Sequence, residues 1–322
     1  MLLENGMHQT KDGVVISIAE MEGIIMKHLS WSQLSTFNSC KKRYEFQYIK
    51  NLKPKRFSNA LNFGILFHEI MECIYEEGSI CAAQDIVYDL VEDMDTSTFE
   101  QKDFDDLEWS KTVLLALIDG VFDYWYNVDL ERDESVVAIE KKYEMRIKNP
   151  ANNYTNRAYS YVFIPDLVLQ CDDSVYTLVE YKTTSRMDSN YISRLAIDQQ
   201  TRGMVYFLQR ENNIVISKIK YRIFKKPGIR QTKKENREMF TERLKGVFLT
   251  EPEKYFIEQE FVVDQKDIRL FATDLWKAVK EVTFVVKNKL FYRDTSKCTV
   301  LNCPFMPLCA GKVGAEVLYE EK

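Results

Sequence analysis

Several things are scarce in this sequence, and each scarcity narrows what it can be. No run of about twenty apolar residues occurs in its 322 positions, so no membrane span is expected. The N-terminus, MLLENGMHQTKDG, lacks the charged-then-apolar design of a secretory leader, so a cytoplasmic location is expected. No Gly-x4-Gly-Lys-Ser/Thr loop is present, so any nucleotide-driven motor working with this chain would be a separate protein. Histidine is rare, with three in all: His8, His28 and His68. Charge of one sign is not in large excess: 44 Lys and Arg face 49 Asp and Glu, a formal net charge of −5. That balance argues mildly against a polyanionic partner, but the basic residues cluster, and local clusters outweigh net charge.

What is present supports a real core. Hydrophobic residues make up 45% and aromatics 13%, enough for one large domain or two small ones. Seven cysteines without a leader suggest a reducing compartment, where metal binding is the reading to test before disulfides.

The chain is organised around residues 161–184, YVFIPDLVLQCDDSVYTLVEYKTT. This stretch predicts two strands, 161–170 and 175–182, joined by a turn at Cys171, Asp172, Asp173 and Ser174. Side chains on a strand alternate, so Glu180 and Lys182 share a face. If the strands pair as neighbours, Asp166 meets them at one end of the sheet. The flanks Phe163, Leu167, Val168, Leu169, Leu178 and Val179 are apolar on both faces, so charges embedded among them need a reason. Two carboxylates and a lysine there suit a divalent cation and phosphodiester hydrolysis.

Ile164-Pro165-Asp166, then thirteen residues, then Glu180-Tyr181-Lys182 resembles the PD-(D/E)xK nuclease superfamily, nearest its RecB-like exonucleases, which include CRISPR-adaptation nucleases and phage relatives. The resemblance extends from about residue 30 to 310. It implies a restriction-endonuclease-like α/β fold with a mixed central sheet flanked by helices. It implies Mg²⁺ or Mn²⁺ held by His68, Asp166 and Glu180, with the backbone carbonyl of Tyr181 as a further ligand. Lys182 would help the attacking water lose a proton. His68 follows Gly64 by one helical turn in a segment, 62–72, that should be helical; Gly64 is expected to let a neighbouring backbone approach.

The same resemblance implies an all-α insertion between this helix and the sheet. The residues fit helices at 82–94 and 107–128 with an acidic surface link, 92–106, between them. A strand is expected at 134–147, giving three consecutive antiparallel strands with the 161–182 hairpin. The helix expected at 188–210 carries Gln199, Gln200 and Tyr206, the nearest matches to a family Gln-x-x-x-Tyr motif that holds the substrate strand. A strand at 214–224 and a basic loop, 225–234, follow; Lys225 and Lys226 open this candidate phosphate-gripping arm. A strand at 255–263 and a helix at 265–287 complete the core. Near the start, Ser30 or Ser32 caps a helix to about residue 48, which opens a basic and aromatic stretch including Arg43 and extending to Arg56.

The C-terminus reads Cys298-Thr-Val-Leu-Asn-Cys303-Pro-Phe-Met-Pro-Leu-Cys309. Three cysteines in twelve residues read as a metal-wrapping loop, and thiolates select zinc or iron–sulfur clusters. The resemblance supplies Cys40 as a fourth ligand and a [4Fe–4S] cluster as the occupant, stapling the chain ends; the four-residue gap after Cys298 departs from the family's usual two. Cys73, Cys81 and Cys171 are expected to be plain packing residues.

The expected organisation is a tail at 1–27 containing a peripheral strand at 13–18, a cysteine-bearing module from 28–60 and 289–322, a helical segment at 61–130 and a nuclease core at 131–288. The expected activity is a metal-dependent deoxyribonuclease, an exonuclease on single strands or DNA ends, with a helicase, CRISPR or recombination partner possible. The alternative is a nuclease-fold DNA-binding or regulatory subunit of a helicase–nuclease complex.

Overall fold

The computed structural model describes residues 27–55, 59–92, 96, 99–172, 174–212, 214–300 and 302–321, and upstream of them three short strands, β1 (Leu2–Leu3), β2 (Met7–Gln9) and β3 (Val15–Ser17). These three pair antiparallel as a small sheet of their own. Arg56 of the first basic stretch and Asp173 of the expected turn lie outside the described residues.

The first helical stretch breaks at Cys40. Ser30, not Ser32, caps α1 (Trp31–Ser39): its hydroxyl accepts from the Gln33 N–H at 3.3 Å, and the Gln33 side chain accepts from the Ser30 N–H. Cys40 is extended (φ −164°, ψ 115°), and helix resumes as α2 (Lys41–Tyr44) and a π-helical turn, Glu45–Ile49. Then come strand β5 (Leu52–Pro54), the histidine helix α3 (Asn59–Glu77), α4 (Ile80–Glu92) and α5 (Gln101–Val121). α5 starts inside the acidic stretch expected to be a link, because Glu100 and Asp103 form a reciprocal capping box. A π-turn and the short helix α6 (Asn127–Glu131) end the helical segment.

The strands carry the main correction. Segment 134–147 is two strands, β6 (Ser135–Ile139) and β7 (Tyr143–Lys148), and the segment before the turn is also two, β8 (Thr155–Phe163) and β9 (Leu167–Asp172). β6 pairs antiparallel with β9, and β7 pairs antiparallel with β8. The four strands therefore form one long hairpin ribbon, bent where both of its strands are interrupted. One interruption holds Glu140, at a left-handed φ of 39°. The other holds Ile164, Pro165 and Asp166, where Pro165 has no N–H to continue a ladder. The Glu140 N–H donates to the Asp166 carbonyl at 3.1 Å and ties the bend together.

On one side of the bend, β9 and β6 belong to a five-stranded sheet in the order β12-β11-β10-β9-β6, with β10 (Val175–Thr184), β11 (Val215–Lys225) and β12 (Phe256–Val262). Only the β10–β11 pair is parallel, so the sheet is mixed. On the other side, β7 and β8 form a second sheet in which β4 (Lys27–Leu29) runs parallel to β8. Thus the expected antiparallel meander is present as β6, β9 and β10 in the main sheet, while the rest of its first two strands, β7 and β8, forms a second sheet.

Helices cover both faces of the main sheet. Phe63, Phe67, Ile70 and Ile74 of α3 join Leu114 and Leu117 of α5 against Leu167, Leu169, Val179 and Phe224. The opposite face packs Val168, Leu178 and Ile223 against residues of α1, α8 (Gln199–Asn212) and α10 (Gln265–Asn288). Alternation along β9 and β10 sends odd and even residues to different cores, which is why the sequence there is almost continuously apolar. The expected helix at 188–210 is two, α7 (Ser189–Leu195) and α8, each with an aspartate, Asp188 or Asp198, hydrogen-bonded to its first amides. Helix α9 (Arg237–Thr250), absent from the sequence reading, fills the first core with Phe240, Leu244 and Phe248.

The C-terminal residues return to the segment 42–54. β5 pairs antiparallel with β13 (Tyr319–Glu321), the Lys42 N–H donates to the Tyr292 carbonyl at 3.0 Å, and Phe46, Phe305 and Tyr319 form a small core.

Candidate active site

The bend in the ribbon is where charge collects. Asp166, 5% exposed, sits just past Pro165; its Oδ2 accepts from the Tyr181 N–H of β10 at 2.6 Å. Glu140 stands across the bend. Helix α3 lies over both and presents His68, whose Nδ1 is 3.1 Å from Glu140 Oε1 and 3.4 Å from Asp166 Oδ1. Ligand atoms of His68, Glu140 and Asp166 all lie within 4.8 Å of one another. Among the described residues no other histidine, cysteine or acidic group of three is so close.

Burial works against a charged imidazole. Hydrogen bonds to Asp166 and Glu140, and the charges of both, outweigh it and raise the His68 pKa to about 10. An imidazolium therefore occupies the middle of the carboxylates in the metal-free arrangement.

Glu180 and Lys182 follow from strand alternation: two residues apart, they share a face, and Lys182 Nζ donates to Glu180 Oε1 at 2.5 Å. Glu180 is 1% exposed, and its Oε2 is buried without a hydrogen-bond partner. Burial first, then the neighbouring Asp166, push its pKa up; Lys182 pulls it back only in part. Burial alone would lower Lys182, but Glu180 and Asp166 more than offset that and keep the ammonium charged. Lys182 is thus a charged donor in this arrangement.

The site excludes nothing that a divalent cation needs. Imidazole and carboxylate oxygens are a donor set for Mg²⁺ or, better, Mn²⁺. An unpartnered buried carboxylate oxygen costs on the order of 1–3 kcal/mol or more unless a cation or donor reaches it. His68, Glu140 and Asp166 form the tight group. Glu180 stands beside it on β10, outside the 4.8 Å set.

The profile of the PD-(D/E)XK nuclease superfamily matches residues 28–310. The chain belongs to this superfamily. Membership implies metal-dependent phosphodiester chemistry and accounts for a mixed sheet carrying carboxylates at its bend. No curated protein matches the sequence. A solved structure titled "Crystal structure of SSO0001" aligns over 92% of this chain and 93% of its own at 12% identity, with a TM-score of 0.34, a likeness too distant to bear on the site.

The other nuclease residues proposed from sequence fall in different places. The Gln199 amide donates to the Ile197 carbonyl, and the Gln200 N–H donates to Asp198, at the α8 end nearest Tyr221. Tyr206 is further along α8, packed on Phe207 and Phe271, and its hydroxyl accepts from Arg210. The Lys226 N–H donates to the Thr184 carbonyl at 2.7 Å, just beyond the Glu-Tyr-Lys run, and its ammonium lies 3.8 Å from the Phe63 ring centre. Burial lowers its pKa to about 8. The N–H of Lys225 donates to the Tyr255 carbonyl. Much of the first basic stretch is already committed: Lys41 to Glu281, Lys42 and Lys50 to Glu45, Lys53 to Glu320. Arg43 bonds Gln47 and lines the cysteine cavity, away from the bend.

Two readings change with the geometry. A Cβ at Gly64 would meet nothing within 4 Å, so no backbone crowds it. Glycines that do admit close neighbours lie elsewhere: at Gly120 a Cβ would lie 2.3 Å from the Phe256 ring, and at Gly203 2.7 Å from Tyr161 Oη and 2.8 Å from the Phe271 ring. Of the three cysteines expected to pack, only Cys73 is buried; Cys81 and Cys171 are exposed. Glu140 is the residue that sequence reasoning missed. Its signal was an acidic residue ending a strand and followed by Lys141 and Lys142, an interruption in the alternation that was read straight through.

Cys40, Cys298, Cys303 and Cys309 line a single cavity with Arg43, Phe46, Arg293 and Phe305. The Asp294 N–H donates to Cys40 Sγ at 3.5 Å, and Cys298 Sγ donates to the Asp294 carbonyl at 3.8 Å. No three of the thiols lie within 4.8 Å of one another.

Proposed function

We propose that the protein is a metal-dependent deoxyribonuclease that acts on single strands or DNA ends as an exonuclease. The observation that carries this is the meeting of His68, Glu140 and Asp166 at the ribbon's bend, beside a buried carboxylate and a charged lysine. His68, Glu140 and Asp166 would hold Mg²⁺ or Mn²⁺, with Glu180 as a further ligand. In an extended strand the N–H and C=O of one residue face the same neighbour. Tyr181 turns its N–H to Asp166, so its carbonyl faces the same edge and suits an added ligand.

When bound, the cation supplies a Lewis acid that neutralises charge building on the scissile phosphate. The chain's own groups do the rest. The Tyr181 N–H fixes Asp166, and Glu140 orients the His68 ring. With Glu180 taken up as a ligand, the Lys182 ammonium would be free to turn its donors to the attacking water and a phosphate oxygen. Gln199, Gln200, Tyr206, Lys225 and Lys226 are proposed contacts of the strand; Lys225 and Lys226 both adjoin Thr184, two residues past Lys182. Any helicase, CRISPR or recombination partner would supply the motor this sequence lacks.

For the cysteine cavity we propose a [4Fe–4S] cluster. Four thiols around one cavity support it. A tetrahedral zinc site, with Zn–S near 2.3 Å, would bring its sulfurs to about 4 Å from one another, and no three of these thiols lie within 4.8 Å. A four-iron cube carries each thiolate on its own corner and spreads them wider.

Lys182→Ala tests the main proposal on end-labelled single and double strands with Mn²⁺. Cleavage should fall on the order of a thousandfold while strand binding in chelator is retained. Cleavage at the wild-type rate would overturn the assignment. Binding with no cleavage by the wild-type protein would leave a nuclease-fold binding subunit instead.

A further inference from the structure

Away from the bend, helix α10 carries a second pattern on one exposed stripe. Trp276, Lys280, Phe284 and Lys287 follow one another at spacings of four, four and three residues, so they stack along one face. The stripe alternates ring, cation, ring, cation. Opposite it, Tyr154 and Asn156 rise from the start of β8. Between the two walls lies an open groove of about 540 Å³. That falls within the range of pockets that take a ligand of nucleotide size.

The rings are not used up by the core. Tyr154 is 55% exposed and Phe284 60% exposed. Tyr154 stands edge-on to Trp276 at 6.3 Å, and Lys280 lies 5.9 Å from the centre of the Trp276 ring. Among the described residues neither Lys280 nor Lys287 has a carboxylate partner. The acid beside them, Glu281, is neutralised by Lys41 at 3.0 Å. Free cations along the groove select an anion, and the rings select something flat. Lys280 and Lys287 are roughly 10 Å apart along the helix, with a ring between them.

We propose that this groove binds single-stranded nucleic acid, stacking successive bases on Phe284, Trp276 and Tyr154 and pairing the intervening phosphates with Lys280 and Lys287. A duplex keeps its bases stacked on one another and cannot offer them to the rings. The groove is an anchoring site for the strand outside the cutting site. It rests on the nuclease reading only for the origin of the strand; binding itself is measured without cleavage.

The test uses the full chain in chelator and follows anisotropy of a fluorescein-labelled twenty-residue oligo-dT, together with tryptophan emission. The Tyr154→Ala/Phe284→Ala double variant should weaken binding by about tenfold or more. Lys280→Glu/Lys287→Glu should flatten the salt dependence by about 1.4 in log–log slope, the signature of two lost phosphate contacts on a single strand. Tryptophan emission should be quenched by the strand and not by a duplex of equal length. Wild-type affinity in the ring variant, or equal quenching by duplex, would overturn the proposal. So would competition by dTMP or inorganic phosphate as strong as that of the strand, which would make this a small-anion pocket. The altered rings and lysines are exposed, so unchanged melting temperatures are expected and separate lost binding from lost fold. If the groove variants bind as predicted but wild-type protein with Mn²⁺ never cuts, the nuclease reading fails and the groove stands. If cutting is normal and the variants bind like wild type, the groove fails alone.

Discussion

Two clusters of buried charge lie along β10 and β11, and they are built on different terms. On one face Arg222, fully buried, donates to both oxygens of Asp129, to Glu258 at 2.8 Å and to the Tyr75 hydroxyl. Asp129 also accepts from Tyr75 at 2.6 Å. Each Arg222 nitrogen has an acceptor and each Asp129 oxygen a donor. On the other face Glu180 shares one oxygen with Lys182 and leaves the other without a partner, while at the bend beside it Asp166 and Glu140 share the one imidazole that α3 presents. The first cluster is closed and ties α3, α6 and the sheet together. The second is short of positive charge. A buried carboxylate without enough partners is costly to keep, and a cation removes the cost. Satisfaction, rather than burial, separates the structural cluster from the chemical one.

That contrast can be broken by substitution. Arg222→Met leaves Asp129 buried and unpaired, and should cost about 3–5 kcal/mol in denaturant unfolding of the metal-free protein. Glu180→Gln should move the other way. It removes a carboxylate whose ionised form the fold disfavours, so stability at pH 8 should rise by about 1 kcal/mol while cleavage is lost. If both substitutions destabilise alike, the two clusters are not different in kind. Glu140→Gln keeps the shape of the bend and weakens its charge; Mn²⁺ affinity should drop by about 10- to 100-fold.

The pH dependence sharpens the same point with a smaller effect. His68 has a raised pKa in the folded protein, so the stability it lends is complete below its ordinary value of 6.5 and fades as pH climbs toward about 10. Glu180, also raised, costs stability once it ionises. The melting temperature of metal-free protein should therefore fall steadily from pH 6 to 10, and Mn²⁺ should restore more of it at the alkaline end. A flat profile would contradict the charge imbalance. For the cysteine cavity, Cys309→Ser should abolish visible absorbance of anaerobically purified protein; a colourless wild type would remove the cluster from the account.

Much of this was readable in the sequence because strand alternation is strict. Glu180 and Lys182 had to share a face, and Asp166 had to lie near them once the hairpin formed. His68 came chiefly from the family resemblance, in which Gly-x-x-x-His precedes the carboxylates, although Gly64 turns out to face open space. The bend was not readable as a bend. Pro165 marks one interruption, but its partner interruption is Glu140-Lys141-Lys142, which contains neither glycine nor proline. Glu140 reaches a left-handed conformation because the paired strand is interrupted opposite it, a tertiary cause that local propensity does not carry. The break at Cys40 was hidden for a related reason: the helix is interrupted there without a proline or glycine.

The most direct measurement is a calorimetric titration of Mn²⁺ into the metal-free protein, beside Glu140→Gln and Asp166→Asn. One site should bind, with release of a proton as the His68 imidazolium gives way, and both variants should bind far more weakly. Equal binding by all three proteins, or no binding by any, would contradict a cation site at the bend of the ribbon.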